Sequence, residues 1–269
     1  MELLERVVVG EAAADGEWLR GSSDFNPEIN HLRWTLLEPE IARYRTLGAD
    51  VSRCLSETAR EIVPGQTEHE IAALLTGKLK ALNFAPNVIL IATDERIKKY
   101  RHPIPTDKKL EKYAMLVASV RRHGLQASAT RLVHFGELSV SLRDRHNACC
   151  KVDACFNLET KPGMKASTIF ARAVQTYAGT GYKDEWQLHH QGGACGYAGR
   201  DYKATQDTEE IVLENQAFAW NPSITGTKSE DTVLATSAGP EVLTPAFEWP
   251  MVQAEYRGET MARPDILVR

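Results

Sequence analysis

Two stretches of this chain share one grammar: a long helical pattern stopped by Pro-Gly, a shorter helical pattern, then strand-like runs. Pro64-Gly65 closes the first long pattern and Pro162-Gly163 the second; proline lacks the N–H a helix interior needs, and glycine readily takes the left-handed turn that ends one. In the first half Ile41, Tyr44, Leu47, Val51, Leu55 and Ile62 recur at steps of three, four or their sum, which predicts a helix over 37–63. Thr67 and Glu70 form a capping box for a second helix whose inner face is Ile71, Leu74, Leu75, Leu79 and Leu82. β-Branched runs at 88–93, 114–120 and 126–135 follow, the last two reading as a hairpin across the polar turn 121–124. The second half predicts helices over 140–158 and 166–177, the latter closed by Gly179, and then strands near 217–224 and 231–236. This order, given twice, is what an internally duplicated α+β domain requires.

Composition narrows the function classes. A chain of 269 residues with 43% hydrophobic and 25% charged content can bury a substantial core without staples. Its formal charge of -4 and the lack of any long Lys/Arg run argue against nucleic acid and anionic lipid as partners. No apolar run approaches the roughly 18 residues of a membrane span. Met1-Glu2-Leu3-Leu4-Glu5-Arg6 is acidic where a secretory signal is basic, so a cytoplasmic location is expected. Five cysteines without a C-x-x-C pair predict free thiols, with Cys195, set among glycines, as a pocket-lining residue. Residues 1–36 have little periodicity and read as an N-terminal arm or remnant linker, leaving 37–269 as the main domain.

Four segments carry the chemistry. They are Arg101-His102-Pro103-Ile104-Pro105-Thr106-Asp107-Lys108-Lys109-Leu110; Gly124 with Thr130-Arg131; His189 and Gly192 with Tyr197-Ala198-Gly199-Arg200-Asp201; and Asn221-Pro222 with Glu230-Asp231-Thr232-Val233-Leu234. In this order and spacing they resemble the pita-bread family of methionine aminopeptidase, aminopeptidase P, prolidase and creatinase, over about 36–244. The resemblance implies the pita-bread fold, with the amino-terminal domain of the prolidase and creatinase branches missing or reduced to the first 36 residues. The metallopeptidase branches hold two divalent cations through two Asp, one His and two Glu; the matching positions here are Val117, Ser128, His189, Asn221 and Glu230. One carboxylate and one imidazole cannot neutralise two cations, so neither a metal nor another cofactor is expected. Creatinase is a metal-free member in which a His of the segment matching His102 is the general acid/base on a C–N bond. The resemblance implies that role for His102, whose imidazole exchanges protons near neutral pH.

The expected catalytic group is His102, His189 and Glu230, with His190, Gln191, Tyr197, Arg200, Trp220, Asn221 and Lys228 binding substrate. Each has a competing structural reading. His102 could be a loop imidazole bonded to backbone, and Asn221 a framework amide before Pro222. Arg200 and Lys228 could be solvated charges, and Trp220 and Tyr197 core aromatics. His189 and His190 are adjacent, so on extended backbone they face opposite ways and only His189 is expected in the cleft. Gln191, Gly192 and Gly193 either present N–H groups to a developing negative charge or simply turn the chain. Asp231 is expected to anchor backbone at a strand entry. The leading function is a metal-independent hydrolase or lyase acting on a C–N bond of a small amino-acid-like substrate. The alternatives are a noncatalytic small-molecule or protein-binding protein of the same fold and, against the missing carboxylates, a metal-dependent Xaa-Pro peptidase. A homodimer would suit a shortened domain of this kind.

Overall fold

The computed structural model describes residues 23–269 and, before them, the two-residue strand β1 (Ala13–Ala14), which pairs in parallel with β2 (Ser23–Asp24). Most of the arm expected over 1–36 therefore lies outside the described residues. Within the remainder, α1 (Asn26–Leu32) buries none of its residues, and Thr35 bridges to Gln216.

The first half follows its grammar closely. α2 (Glu38–Glu61) buries the face Ile41, Tyr44, Leu47, Val51 and Leu55. α3 (Glu68–Ala81) begins at the expected capping box: Glu70 N donates to Thr67 Oγ1 at 3.1 Å, and Thr67 N donates back to the Glu70 carboxylate at 2.7 Å. β3 (Ala85–Thr93), α4 (Glu95–Lys99), β4 (Tyr113–Arg122) and β5 (Leu125–His134) come next. β4 and β5 join through His123 and Gly124, both at positive φ (52° and 85°), a two-residue turn whose twist matches that of a hairpin.

The second half repeats the order with α5 (Val140–Glu159) and α6 (Ala166–Gly179). Gly65 and Gly163 sit at φ 96° and 88°, the left-handed conformation that ends both long helices alike. α6 runs through Gly179 itself, and the left-handed residue is Gly181 (φ 87°), two positions later than expected. Then come β6 (Gly192–Cys195), β7 (Gln216–Trp220), β8 (Ser223–Ile224), β9 (Thr227–Lys228), β10 (Asp231–Ala235) and β11 (Glu241–Val242). The single strand expected over 217–224 is broken at Asn221-Pro222, since proline cannot donate to the ladder. The chain ends in the hairpin β12 (Met251–Tyr256) and β13 (Glu259–Pro264), followed by β14 (Ile266–Val268).

Two four-stranded sheets result, in the orders β14-β5-β4-β3 and β11-β10-β7-β6. α2 and α3 cover the first with Leu47, Val51, Leu55, Ile71 and Leu75, packed on Leu116, Ala118 and Ala129. α5 and α6 cover the second with Val152, Phe156, Ile169 and Phe170, packed on Phe218, Trp220 and Val233. Fully burying one such aliphatic or aromatic side chain stabilises by about 1.5–3 kcal/mol, so these faces fasten the helix pairs to the sheets; Cys195, Ala217, Ala219 and Leu234 of the second sheet also enter the first core. The sheets meet where Thr130 N on β5 donates to the Glu230 carbonyl at 3.0 Å, and where Ser128 and Thr232 exchange bonds of 2.8 and 2.9 Å. All five cysteines are free and buried. Cys195 lies against the Tyr44 hydroxyl at 3.6 Å inside the first core, so it does not line a pocket as expected. Among the described residues no helix is long and apolar enough to cross a membrane.

Candidate functional site

The sheet junction gathers side chains from four loops. His102 sits in the segment between α4 and β4, and the Thr106 of its motif is what fixes that segment. Thr106 N and its hydroxyl donate to the fully buried Glu68 carboxylate at 3.0 and 2.7 Å, which also accepts from Arg96 and Thr93. Arg101 ties the same loop across the cleft, to Glu185 at 2.5 Å, Thr225 at 2.8 Å and the Ser223 hydroxyl at 3.3 Å.

Three imidazoles converge there. Ring centroids are 5.8 Å apart for His102 and His189, 5.5 Å for His102 and His190, and 6.1 Å for His189 and His190. The expectation that only His189 enters the cleft is thus corrected. His189 is extended (φ -166°, ψ 170°), but the His102 loop approaches from the side, so both neighbouring rings come close to its imidazole. Burial lowers the pKa of all three. Lys228 adds to this at His102, where Glu230 partly opposes it. His189 is pushed down to about 2 by burial and then Lys228, and His190 to about 4 by burial and then Arg200. Each shift favours the neutral ring at pH 7.

The surviving carboxylate already has cations. Glu230 precedes β10 and is 4% exposed; its Oε2 accepts from Thr130 Oγ1 at 2.7 Å and from Lys228 Nζ at 3.0 Å, while Arg200 Nη2 stands 3.8 Å from Oε1. Lys228 is also 4% exposed and reaches Glu230 from β9, on a hairpin turned at Gly226 (φ 98°). Burial alone would raise the Glu230 pKa; Lys228, Arg200 and Thr130 outweigh it and hold the carboxyl below its usual range.

Several expected substrate contacts are framework instead. Trp220 is fully buried, donates Nε1–H to Thr160 at 2.9 Å and stacks on Phe156 and Phe218, so it belongs to the second core. Tyr197 turns away and donates to Glu40 on α2, its ring lying over Gly124, where a Cβ would meet it at 2.8 Å. The Gln191 amide donates to the carbonyls of Trp186 and His189 and accepts from Tyr177, which leaves it little to offer a ligand. Gly192 and Gly193 pair with β7 in close quarters; a Cβ on either would meet a carbonyl oxygen at 2.2 Å. Asp231 does more than anchor a strand. Its carboxylate accepts from Arg131 at 3.0 Å and Arg263 at 2.6 Å, and Arg263 also holds Asp153 at 2.7 Å, a wholly buried ionic network beneath the site.

Asn221 lies at this junction through its backbone. It is 2% exposed, its backbone N donates to the Gln191 carbonyl at 3.1 Å, and its side-chain oxygen is buried with no partner among the described residues. His189 Nδ1, His190 Nδ1 and Arg200 Nε are orphaned in the same way. Buried polar atoms left unpaired cost free energy, and four of the eleven such atoms among the described residues fall on these segments, which fits a site for a ligand or water. Sequence reasoning missed Thr130 as a partner of Glu230, although its Thr-Arg pair was in view, and missed Ser223, whose hydroxyl is 2.6 Å from His189 Nε2. Ser223 directly follows Asn221-Pro222, but that motif gives it no role of its own.

The donor set does not fit a pair of divalent cations. Val117 has no donor atom, Ser128 and Asn221 are neutral, His189 Nε2 is bonded to Ser223, and Glu230 is neutralised by Lys228 and Arg200. Among the described residues no three His, Cys, Asp or Glu side chains are grouped to hold a metal ion.

Comparison with known proteins places this site in a family. The sequence profile of metallopeptidase family M24 matches residues 42–237. An uncharacterised peptidase of Staphylococcus aureus strain MW2 is 24% identical over 232 residues, 82% of this chain and 65% of that protein; an uncharacterised peptidase of Staphylococcus epidermidis is 22% identical over the same shares. The chain thus spans just under two thirds of these relatives. Prolidase from Pyrococcus furiosus superposes with a TM-score of 0.79 at 20% identity, covering 91% of this chain and 79% of that one. Xaa-Pro dipeptidase from Bacillus anthracis gives 0.79 at 16%, covering 100% and 77%. At such identities the likeness speaks for the fold. The profile match over most of the chain and the shared architecture agree: the chain belongs to metallopeptidase family M24 and has its pita-bread fold.

Proposed function

We propose that this protein is a metal-independent hydrolase or lyase that cleaves a C–N bond in a small amino-acid-like substrate, with His102 as general acid/base. The observation that supports it most is the Lys228 ammonium 3.0 Å from the Glu230 carboxylate, with the Arg200 guanidinium at 3.8 Å. Glu230 is one of the positions at which the family resemblance puts a metal ligand, and its pairing with two side-chain cations supports a site whose positive charge comes from the chain itself. In the hydrolytic form, neutral His102 takes a proton from water as its oxygen bonds to the substrate carbon, then returns it to the leaving nitrogen as the C–N bond breaks. Arg200 offers Nε–H to an anionic oxygen, and the unpartnered Asn221 oxygen accepts from a substrate ammonium.

A second reading, ligand binding without turnover, draws on one observation. Among the described residues none of the three imidazoles shares a hydrogen bond with a carboxylate, the partner that usually raises a base's strength, and all three are held below 6.5. One experiment separates the readings. Purified protein is assayed in excess chelator against amino-acid amides, guanidino compounds and X-Pro dipeptides, with His102→Ala beside it. Chelator-resistant turnover lost in His102→Ala supports the enzyme; no turnover across the library supports the binding protein; turnover abolished by chelator returns the metal-dependent peptidase.

A further inference from the structure

We propose that Ser223, itself held by Arg101, locks His189 as the neutral tautomer protonated on Nδ1, so that His189 is a hydrogen-bond donor in the cleft and neither a base nor a metal ligand. Among the described residues Ser223 Oγ has two hydrogen-bonding neighbours: Arg101 Nη1 at 3.3 Å and His189 Nε2 at 2.6 Å. A guanidinium only donates, so Ser223 accepts from Arg101, and the acceptor that remains for its single hydroxyl proton is the His189 Nε2 lone pair. Nε2 must then be unprotonated and Nδ1 must carry the hydrogen.

The opposite tautomer is worse by a count of orphans. With hydrogen on Nε2, both the Ser223 hydroxyl proton and a bare Nδ1 lack partners; with hydrogen on Nδ1, only the Nδ1–H does. Protonating both nitrogens is opposed by burial and by Lys228, Arg101 and the neighbouring rings of His102 and His190. The donor left over, Nδ1–H, is buried without a partner among the described residues, on a ring whose centroid is 5.8 Å from that of His102. Nε2, the nitrogen bonded to Ser223, is closed to a cation.

His146 supplies an internal contrast. Its Nε2 faces the Pro264 carbonyl at 3.1 Å, which can only accept, and its Nδ1 faces the Thr227 hydroxyl at 2.7 Å. His146 must therefore carry hydrogen on Nε2, the reverse of His189. Arg101 and Ser223 are positioning residues in this account; the donor role of His189 in turnover rests on the proposed function, whereas the tautomer does not.

The test is two-bond proton–nitrogen correlation NMR of the histidine rings in nitrogen-15-labelled protein at pH 7, with His189 assigned through His189→Gln. Expected is one ring protonated on Nδ1 for His189 and one on Nε2 for His146 in the same spectrum. Ser223→Ala should convert His189 to the Nε2-protonated form or a mixture, and Ser223→Thr, which keeps the hydroxyl, should preserve the Nδ1 form. His146 should be unchanged throughout and so reports an intact fold. Finding His189 protonated on Nε2 in the unmodified protein, or unaltered in a folded Ser223→Ala, overturns the proposal. Failure of the C–N activity leaves this spectrum untouched, so the two claims fail separately.

Discussion

Removing the Lys228 ammonium should strand the Glu230 carboxylate in a place water cannot reach. Both side chains are 4% exposed, so screening by solvent does not soften the loss. Breaking a buried ion pair by deleting one partner costs about 3–5 kcal/mol. Thr130 at 2.7 Å and Arg200 at 3.8 Å stay behind and recover part of this, which puts Lys228→Met near the lower end, about 3 kcal/mol. Glu230→Gln instead leaves an ammonium facing Arg200 without a counter-charge and should cost about as much. The double variant removes both charges, and replacing a buried pair with neutral groups of similar volume is often close to neutral. Its cost should therefore be about 1 kcal/mol, several kcal/mol less than the two single costs together. At roughly 2–4 °C per kcal/mol for a chain of this size, each single variant should melt visibly lower and the double one near the parent. Urea unfolding of the four proteins at pH 7 gives the coupling directly. A coupling under about 0.5 kcal/mol would refute the reasoning, because Glu230 would then owe its charge to something other than Lys228.

Three further outcomes follow from the same geometry. The working form of His102 is neutral and its pKa lies below 6.5, so kcat/KM on any substrate found should be flat from neutral pH down and fall only below pH 6.5; an acid limb centred above 7 would contradict this. His146 is fully buried, and burial holds its pKa below the 6.5 of an unfolded chain although the Asp265 carboxylate at 3.7 Å partly opposes this. Because the unfolded state takes the proton first, its contribution is complete above pH 6.5 and is lost as pH falls below that; urea midpoints between pH 7 and 4 should show a slope that His146→Asn reduces, and an unchanged slope would sink the assignment. Gly192→Ala places a Cβ 2.2 Å from the Ala219 carbonyl at φ 105° and should cost more than about 3 kcal/mol, whereas Gly77→Ala on the open face of α3 should stabilise by about 0.5–1 kcal/mol; equal melting temperatures for the two would count against the packing described.

What could be read ahead in the chain was whatever has a period or a cap. The faces of α2 and α3, the Thr67–Glu70 box and the paired Pro-Gly stops are local signals, and the structure places them within two or three residues of expectation. β6 went unseen because four residues of the type Gly-Gly-Ala-Cys show neither alternation nor β-branching; its strand character comes only from pairing with β7. The β12–β13 hairpin did leave a trace, in Arg257-Gly258 between two alternating runs, and both residues take positive φ there. In the site, the motifs located the loops but not the direction of each side chain. Trp220 and Asn221 are neighbours, yet one packs in the second core and the other buries an amide oxygen without a partner, a difference that sequence alone does not decide. Lys228 could be a surface charge in sequence; the hairpin that turns it inward onto Glu230 is a tertiary feature. Ser223 matters only through the two loops that meet on it.

Elemental analysis of the purified protein after equilibration with Mn, Co, Zn and Fe salts and removal of free ions bears most directly on the role assigned to Lys228 and Arg200. If those side chains supply the positive charge at Glu230, bound metal stays far below one ion per chain, and Glu230→Gln changes nothing. One or two tightly held ions per chain, lost in Glu230→Gln, would mean that the carboxylate still belongs to a metal centre.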